Sequence, residues 1–221
     1  MEKRTGLVFG STGLIGNLLV EEMVHSGLYS RVKVFVRQST GVTEPLVDEI
    51  VNDFSDPESL APFINGDDVY ICLGTTIKKA GSVANMEKID RDLPVTIAEL
   101  AFNRGAKRIA VVSSIGASAR SGNYYLRIKG EMEEGILKLA YENCAIVRPS
   151  MLLGERKEKR TGESIGKVVM KIMSPLMIGK IKKYKAIHGR DVARAMIFTL
   201  QQDPGKKIYE SDELQKLAGK F

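Results

Sequence analysis

The chain has 221 residues, a formal charge of +6, 43% hydrophobic residues and 27% charged residues, a balance that suits one globular domain with a sizeable core. The basic excess is mild and spread along the chain, and no aromatic residues interleave with a basic run, which argues against nucleic acid as a partner. No apolar run approaches the roughly 20 residues of a membrane helix, so no integral membrane segment is expected.

In chain order, short apolar runs alternate with amphipathic stretches. Gly6–Phe9, Val32–Val36, Val69–Leu73, Ile109–Val112 and Ala145–Val147 are rich in β-branched residues and do not alternate with polar ones, the pattern of strands covered on both faces. A weaker run, Glu49–Val51, fills the third strand slot. Helices are expected over Leu14–Ser26, stopped by Gly27, and over Asn85–Asn103, Tyr124–Tyr141 and Asp191–Gln201, with a short one opened by Asp56-Pro57. This alternation predicts an α/β fold, a doubly wound parallel sheet with right-handed crossovers. One domain, 1–221, is expected: a core over 1–153, a small irregular substrate-side segment over 154–188, and a closing helix and tail over 189–221. Within the irregular part, the basic amphipathic stretch Lys167–Met173 reads as a lid over the substrate pocket, with contact to a membrane surface as the alternative, and Glu155–Arg160 reads as a solvated charged loop.

The first strand runs directly into Gly10-Ser11-Thr12-Gly13-Leu14-Ile15-Gly16, which opens a helix. Glycines let backbone approach a pyrophosphate, and the helix N-terminus offers it N–H groups and a positive dipole end. The G-x-x-G-x-x-G spacing differs from the usual dinucleotide fingerprint and is weak alone; its place between strand and helix makes it specific. The second strand ends in Arg37, where NAD-specific folds tend to carry a carboxylate. A guanidinium there suits a 2′-phosphate, so NADP(H) is the expected cofactor, with NAD(H) as the alternative. Asp53 and Phe54 follow the third strand, where an acid often meets the adenine amino group, and Gly74-Thr75-Thr76 follows the fourth, where small residues let a cofactor cross the strand ends.

Ser113-Ser114 closes the fifth strand, and Tyr125 and Lys129 follow at i and i+4 on one helical face. A phenol is a poor acid near neutrality, and a nearby ammonium favours its ionised form. A serine hydroxyl holds a substrate oxygen while tyrosine passes a proton. A nucleophilic-cysteine mechanism is disfavoured, because Cys72 and Cys144 both fall in strand regions. These two read as reduced core thiols, and no secretory signal follows Met1, so a cytoplasmic location is expected. His25 and His188 lack Cys partners at metal spacing; no metal is expected, and His188 reads as structural.

Together these stretches, with Cys72–Thr76, Ala80-Gly81, Asp90-Arg91-Asp92, Gly116-Ala117, Tyr125–Gly130 and Arg148-Pro149, resemble an extended or atypical short-chain dehydrogenase/reductase with a Rossmann fold. Within that family the resemblance is nearest to the oxidoreductase-like Tat-interacting-protein group. It covers about residues 5–155, and Gly189–Ala193 is similar to the late helix opening of extended members. The resemblance implies that Gly10, Ser11, Thr12, Gly13, Leu14 and Ile15 contact phosphates, that Arg37 reads the 2′-phosphate, and that Leu73, Gly74 and Thr75 line the cofactor path. It further implies that Lys129 holds the ribose, that Pro149 borders the nicotinamide, and that the catalytic group is Ser114, Tyr125 and Lys129, with Ser113 as the alternative serine. One departure stands out. Many family enzymes place Asn in the fourth helix to complete a proton relay, and here Asp90 and Asp92 occupy that region. Two functions follow: an NADP(H)-dependent oxidoreductase acting on a small carbonyl or alcohol, or an NADP(H)-binding regulatory protein acting through a protein partner. A nucleotide-sugar epimerase is a weaker third option, since such enzymes carry a large C-terminal substrate domain. Monomer and dimer are both left open.

Overall fold

The computed structural model describes residues 3–153, 184–202 and 207–221. The strands are β1 (Arg4–Phe9), β2 (Tyr29–Val36), β3 (Val47–Val51), β4 (Asp68–Ile71), β5 (Arg108–Val112), β6 (Asn143–Arg148), β7 (Leu152–Leu153), β8 (Ile187–His188) and β9 (Ile208–Glu210). Seven of them form one sheet in the order β3-β2-β1-β4-β5-β6-β9, with every pairing parallel. The order reverses between β1 and β4, and in open α/β sheets ligands bind outside the carboxyl ends of the strands at such a switch point.

The sheet is covered on both faces. Val8, Val34, Tyr70 and Ala145 pack with α1 (Leu14–His25) and with the helix Gly189–Thr199 through Leu19, Met23, Val192 and Met196. Leu7, Phe9, Val69, Ile109 and Ile146 face the other way, onto Ile97, Met132 and Ile136. Leu7 and Val8 are adjacent, face opposite sides and are both fully buried. That double coverage is why these strands read as continuous apolar runs. The expected doubly wound parallel sheet is therefore present.

Three elements depart from the sequence expectation. The helix expected over Asn85–Asn103 is instead α2 (Ile77–Ala80), α3 (Val83–Glu87), a π turn over Lys88–Asp92, and α4 (Leu93–Asn103). Pro94 lacks the N–H that would donate one turn back, and the ladder loosens there. The helix expected to reach Tyr141 is α5 (Tyr124–Leu137); Tyr141 lies beyond it, buried, and donates its hydroxyl to the Ala98 carbonyl at 2.7 Å. The closing region holds more than the helix Gly189–Thr199, here α6: β9 extends the sheet and leads into α7 (Ser211–Ala218). A capping box starts α7, in which Glu210 donates its amide to Glu213 at 3.0 Å. The expected irregular segment falls mostly outside the described residues, as do the lid reading of 167–173 and the loop reading of 155–160. Its described end is ordered, since β8 pairs with β7.

Candidate functional site

The turn after β1 is built by its glycines. Gly10 has φ +87°, which L side chains rarely adopt, and a β-carbon there would lie 2.7 Å from the Cys72 carbonyl. A β-carbon on Gly16 would lie 2.2 Å from the Gly10 oxygen, so this glycine lets α1 dock against the turn. Gly13 is the N-cap residue and provides no side-chain cap, and no acid occupies the first turn of α1. The leading amides of α1 thus have no side-chain acceptor, the condition under which a helix N-terminus takes an anion. Ser11 and Leu14 are half-buried, and Thr12 is exposed. The Ile15 side chain is buried in the core, which leaves its amide as the group it can present.

Arg37 is exposed immediately beyond β2, and no ion pair engages it among the described residues. Glu49 on β3, opposite Val34, is engaged by the loop after β2: Ser39 and Thr40 donate their hydroxyls at 2.5 Å each, and the Thr40 amide donates at 2.9 Å. The Ser39 hydroxyl leads these bonds in holding the Glu49 carboxyl below the usual range. Asp53 is exposed and accepts from the Ser55 amide at 2.8 Å; the Ser55 hydrogen bonds hold its carboxyl low. Phe54 has φ +62°, an uncommon strained state for a bulky residue, and packs half-buried on the same core cluster as Leu73.

The two serines after β5 stand in different environments. Ser113 is buried and donates its hydroxyl to Glu133 on α5, which also receives Arg148 Nε at 2.9 Å and Arg148 Nη2. Ser114 is half-buried, and its hydroxyl makes one long contact, 3.4 Å, to the Ile115 carbonyl. The two tyrosines differ in the same way. Tyr124 donates to the Val83 carbonyl at 3.2 Å and lies under Arg127, whereas Tyr125 is 37% exposed. Lys129 is only 3% exposed, with its ammonium 2.9 Å from Asp90 Oδ1. Asp90 Oδ2 accepts from the Thr75 amide at 2.9 Å, so Asp90 links the cofactor path after β4 to α5. Pro149 is buried, and its carbonyl accepts from the Ile115 amide at 3.2 Å. Burial pushes the Cys72 thiol up to about 12, against the opposing charge of Lys129, and pushes Cys144 up to about 11. Neither thiol is poised as a nucleophile.

Sequence reasoning did not anticipate the contacts of Asp90 or the burial of Glu133. Glu133 had a signal: with Tyr125 and Lys129 it continues a stripe at four-residue steps along α5.

The NAD(P)H-binding family matches residues 10–203. Protein FMP52, mitochondrial, of Eremothecium gossypii is 34% identical over 222 residues, covering 96% of each chain. Protein HTATIP2 of Rattus norvegicus is 35% identical over 167 residues, 74% of this chain and 69% of its own. Among solved structures, MoeE5 in complex with UDP-glucose and NAD has a TM-score of 0.69 at 16% identity, covering 98% of this chain and 81% of that one. A short-chain dehydrogenase/reductase-family oxidoreductase from Burkholderia thailandensis has a TM-score of 0.66 at 20% identity, covering 90% and 85%. At these identities the structures show the fold alone. The cytoplasmic expectation is corrected: the FMP52 relatives from Eremothecium gossypii, Candida glabrata and Candida albicans are named mitochondrial, and reduced thiols do not distinguish compartments that are both reducing. The turn of glycines, the switch point and these similarities agree: the chain belongs to the NAD(P)H-binding family, with the FMP52 and HTATIP2 proteins among its relatives.

Proposed function

We propose that this protein is an NADP(H)-dependent oxidoreductase acting on a small carbonyl or alcohol. The observation that carries the reading is the placement of α5: Lys129 is buried against the Gly74–Thr75 path, and Tyr125, one turn earlier, stays exposed. The dinucleotide supplies the hydride chemistry when bound. Ser114 holds the substrate oxygen, Tyr125 transfers the proton to or from it, and Lys129 holds the ribose. Ser113 is assigned no part, because its hydroxyl is engaged by Glu133. Leu73, Gly74, Thr75 and Pro149 border the cofactor, and Asp53 and Phe54 meet its adenine end. A screen of cofactor oxidation across aldehydes, ketones and quinones tests the reading. If none turns over while NADPH alters the binding of a protein partner, the regulatory reading takes its place.

Cofactor choice is assigned to Arg37. Losing a charge-assisted contact costs about 1.5–3 kcal/mol, so Arg37→Ala weakens NADPH by roughly ten- to a hundredfold and leaves NADH nearly unchanged. Calorimetry finding equal losses for both cofactors would overturn the assignment.

The glycine turn gives a second expected result. Gly13 is exposed with extended backbone, φ −79° and ψ 169°, and a β-carbon there would lie 3.3 Å from the Gly10 oxygen. Gly13→Val therefore places methyl groups over the amides of α1. Cofactor affinity falls by about tenfold or more, with little change in melting temperature. Gly16→Val is the contrast: its β-carbon has no room, and folding itself suffers. An unchanged dissociation constant for Gly13→Val would show that the dinucleotide binds elsewhere.

A further inference from the structure

Asp90 is fully buried within the π turn, where an uncompensated carboxylate would be costly. Its neighbours do not share its position. Arg91 pairs with Asp92 at 2.7 Å and with Glu131 at 2.8 Å, so Asp90 alone of this acidic run reaches Lys129. The two ends of its carboxylate are used differently. Oδ2 accepts the Thr75 amide in a hydrogen bond. Oδ1 lies 2.9 Å from the Lys129 ammonium, an ion pair between two buried groups. An ammonium has three donors, so one carboxylate partner leaves others for a further acceptor. A β-carbon on Gly74 would lie 3.4 Å from Asp90 Oδ1 and 3.9 Å from Lys129 Nζ, which sets the pair directly against the strand-end path.

We propose that Asp90 is a positioning residue of the cofactor site: it fixes the Thr75 amide and holds the buried Lys129 ammonium beside Gly74, with the ammonium's remaining donors turned to the ribose hydroxyls of the dinucleotide. The proposal rests on the cofactor role given to Lys129 above.

The test is NADPH affinity as a function of pH in four proteins: wild type, Asp90→Asn, Lys129→Met and the double variant. The charged or titratable groups around Lys129 are Asp90 from the π turn, Cys72 just beyond β4, and Tyr125 and Glu133 one turn to either side on its own helix; Glu133 is engaged by Ser113 and Arg148, and burial keeps the Cys72 thiol protonated throughout. Asp90→Asn keeps an acceptor for Thr75 and removes the counter-charge, and a buried ammonium without one gives up its proton more readily. Its affinity for NADPH therefore falls by about tenfold between about pH 7 and pH 9, while wild type stays level over that range. Lys129→Met binds weakly at every pH, and the double variant matches it, because Asp90 acts through Lys129. If Asp90→Asn does not fold but the double variant does, the two charges depend on each other, and the double variant's match to Lys129→Met decides the matter. A level, wild-type affinity in Asp90→Asn overturns the proposal, as does a double variant that loses the sum of both effects or cannot fold. Wild type that binds neither NADPH nor NADH would instead sink the cofactor reading beneath it.

Discussion

Under the proposed function, Tyr125→Phe is expected to retain NADPH affinity and to lower turnover by about 10²–10⁴-fold, the usual worth of a positioned acid or base. The structure makes this substitution a clean one. The ring is partly exposed, no hydrogen bond engages its hydroxyl among the described residues, and removing that oxygen leaves no partner stranded. Tyr124→Phe is the internal control. It loses a bond to the Val83 carbonyl next door and should leave turnover nearly intact. Single-turnover kinetics with the substrate returned by the carbonyl screen separate chemistry from binding. A wild-type rate for Tyr125→Phe would remove the tyrosine from its assigned role.

Asp68→Ala is expected to lower stability by about 3 kcal/mol and the melting temperature by about 6–12 °C, with cofactor binding unchanged in the protein that remains folded. Asp68 is fully buried at the start of β4. It receives Arg108 Nε, the Tyr29 hydroxyl at 2.8 Å and Arg4 Nη1 at 3.4 Å, and Tyr29 and Tyr70 share a further bond at 2.6 Å. Removing the carboxylate takes the acceptor from Arg108, while Arg4 keeps Gln201 at 2.8 Å and Tyr29 keeps the Tyr70 hydroxyl. Arg4 and Arg108 keep 25% and 19% of their side chains exposed, and that access to water holds the cost near the lower end for a broken buried pair. The same cluster sets the alkaline limit. Burial holds the Tyr29 and Tyr70 phenols well above the ordinary range; at Tyr29 the Tyr70 and Asp68 neighbours add to it, and at Tyr70 the Asp68 charge adds to it against the Tyr29 hydrogen bond and the Arg4 and Arg108 charges. Folded phenols that resist ionisation add stability at neutral pH, and that stability is lost as pH rises beyond about 10, where the unfolded chain ionises first. Thermal unfolding across alkaline pH, compared between wild type and Tyr29→Phe, checks the sign.

The parts legible from sequence are those in which a residue type answers a local constraint. Gly10 and Gly16 are read from the chain because only glycine fits a positive φ or a 2.2 Å approach. The central strands are read from doubly buried neighbours such as Leu7 and Val8. What escaped depends on contacts between distant segments. Ser113 and Ser114 look alike until α5 brings Glu133 to one of them. Asp90 looks like one member of a charged run until the π turn carries it, buried, to Lys129. The last sheet strand escaped for another reason: Ile208-Tyr209-Glu210 is three half-buried residues, too short and too polar to resemble the inner strands.

That last strand carries a consequence for how the protein matures during synthesis. Arg148, which grips Glu133 on α5, lies opposite Glu210 in the β6–β9 register and meets its carboxylate at 3.6 Å. Until a nascent chain has emerged past β9, Arg148 is missing one of its two acidic partners. The helix bearing Tyr125 and Lys129 thus receives its full bracing only after the last sheet strand is laid down.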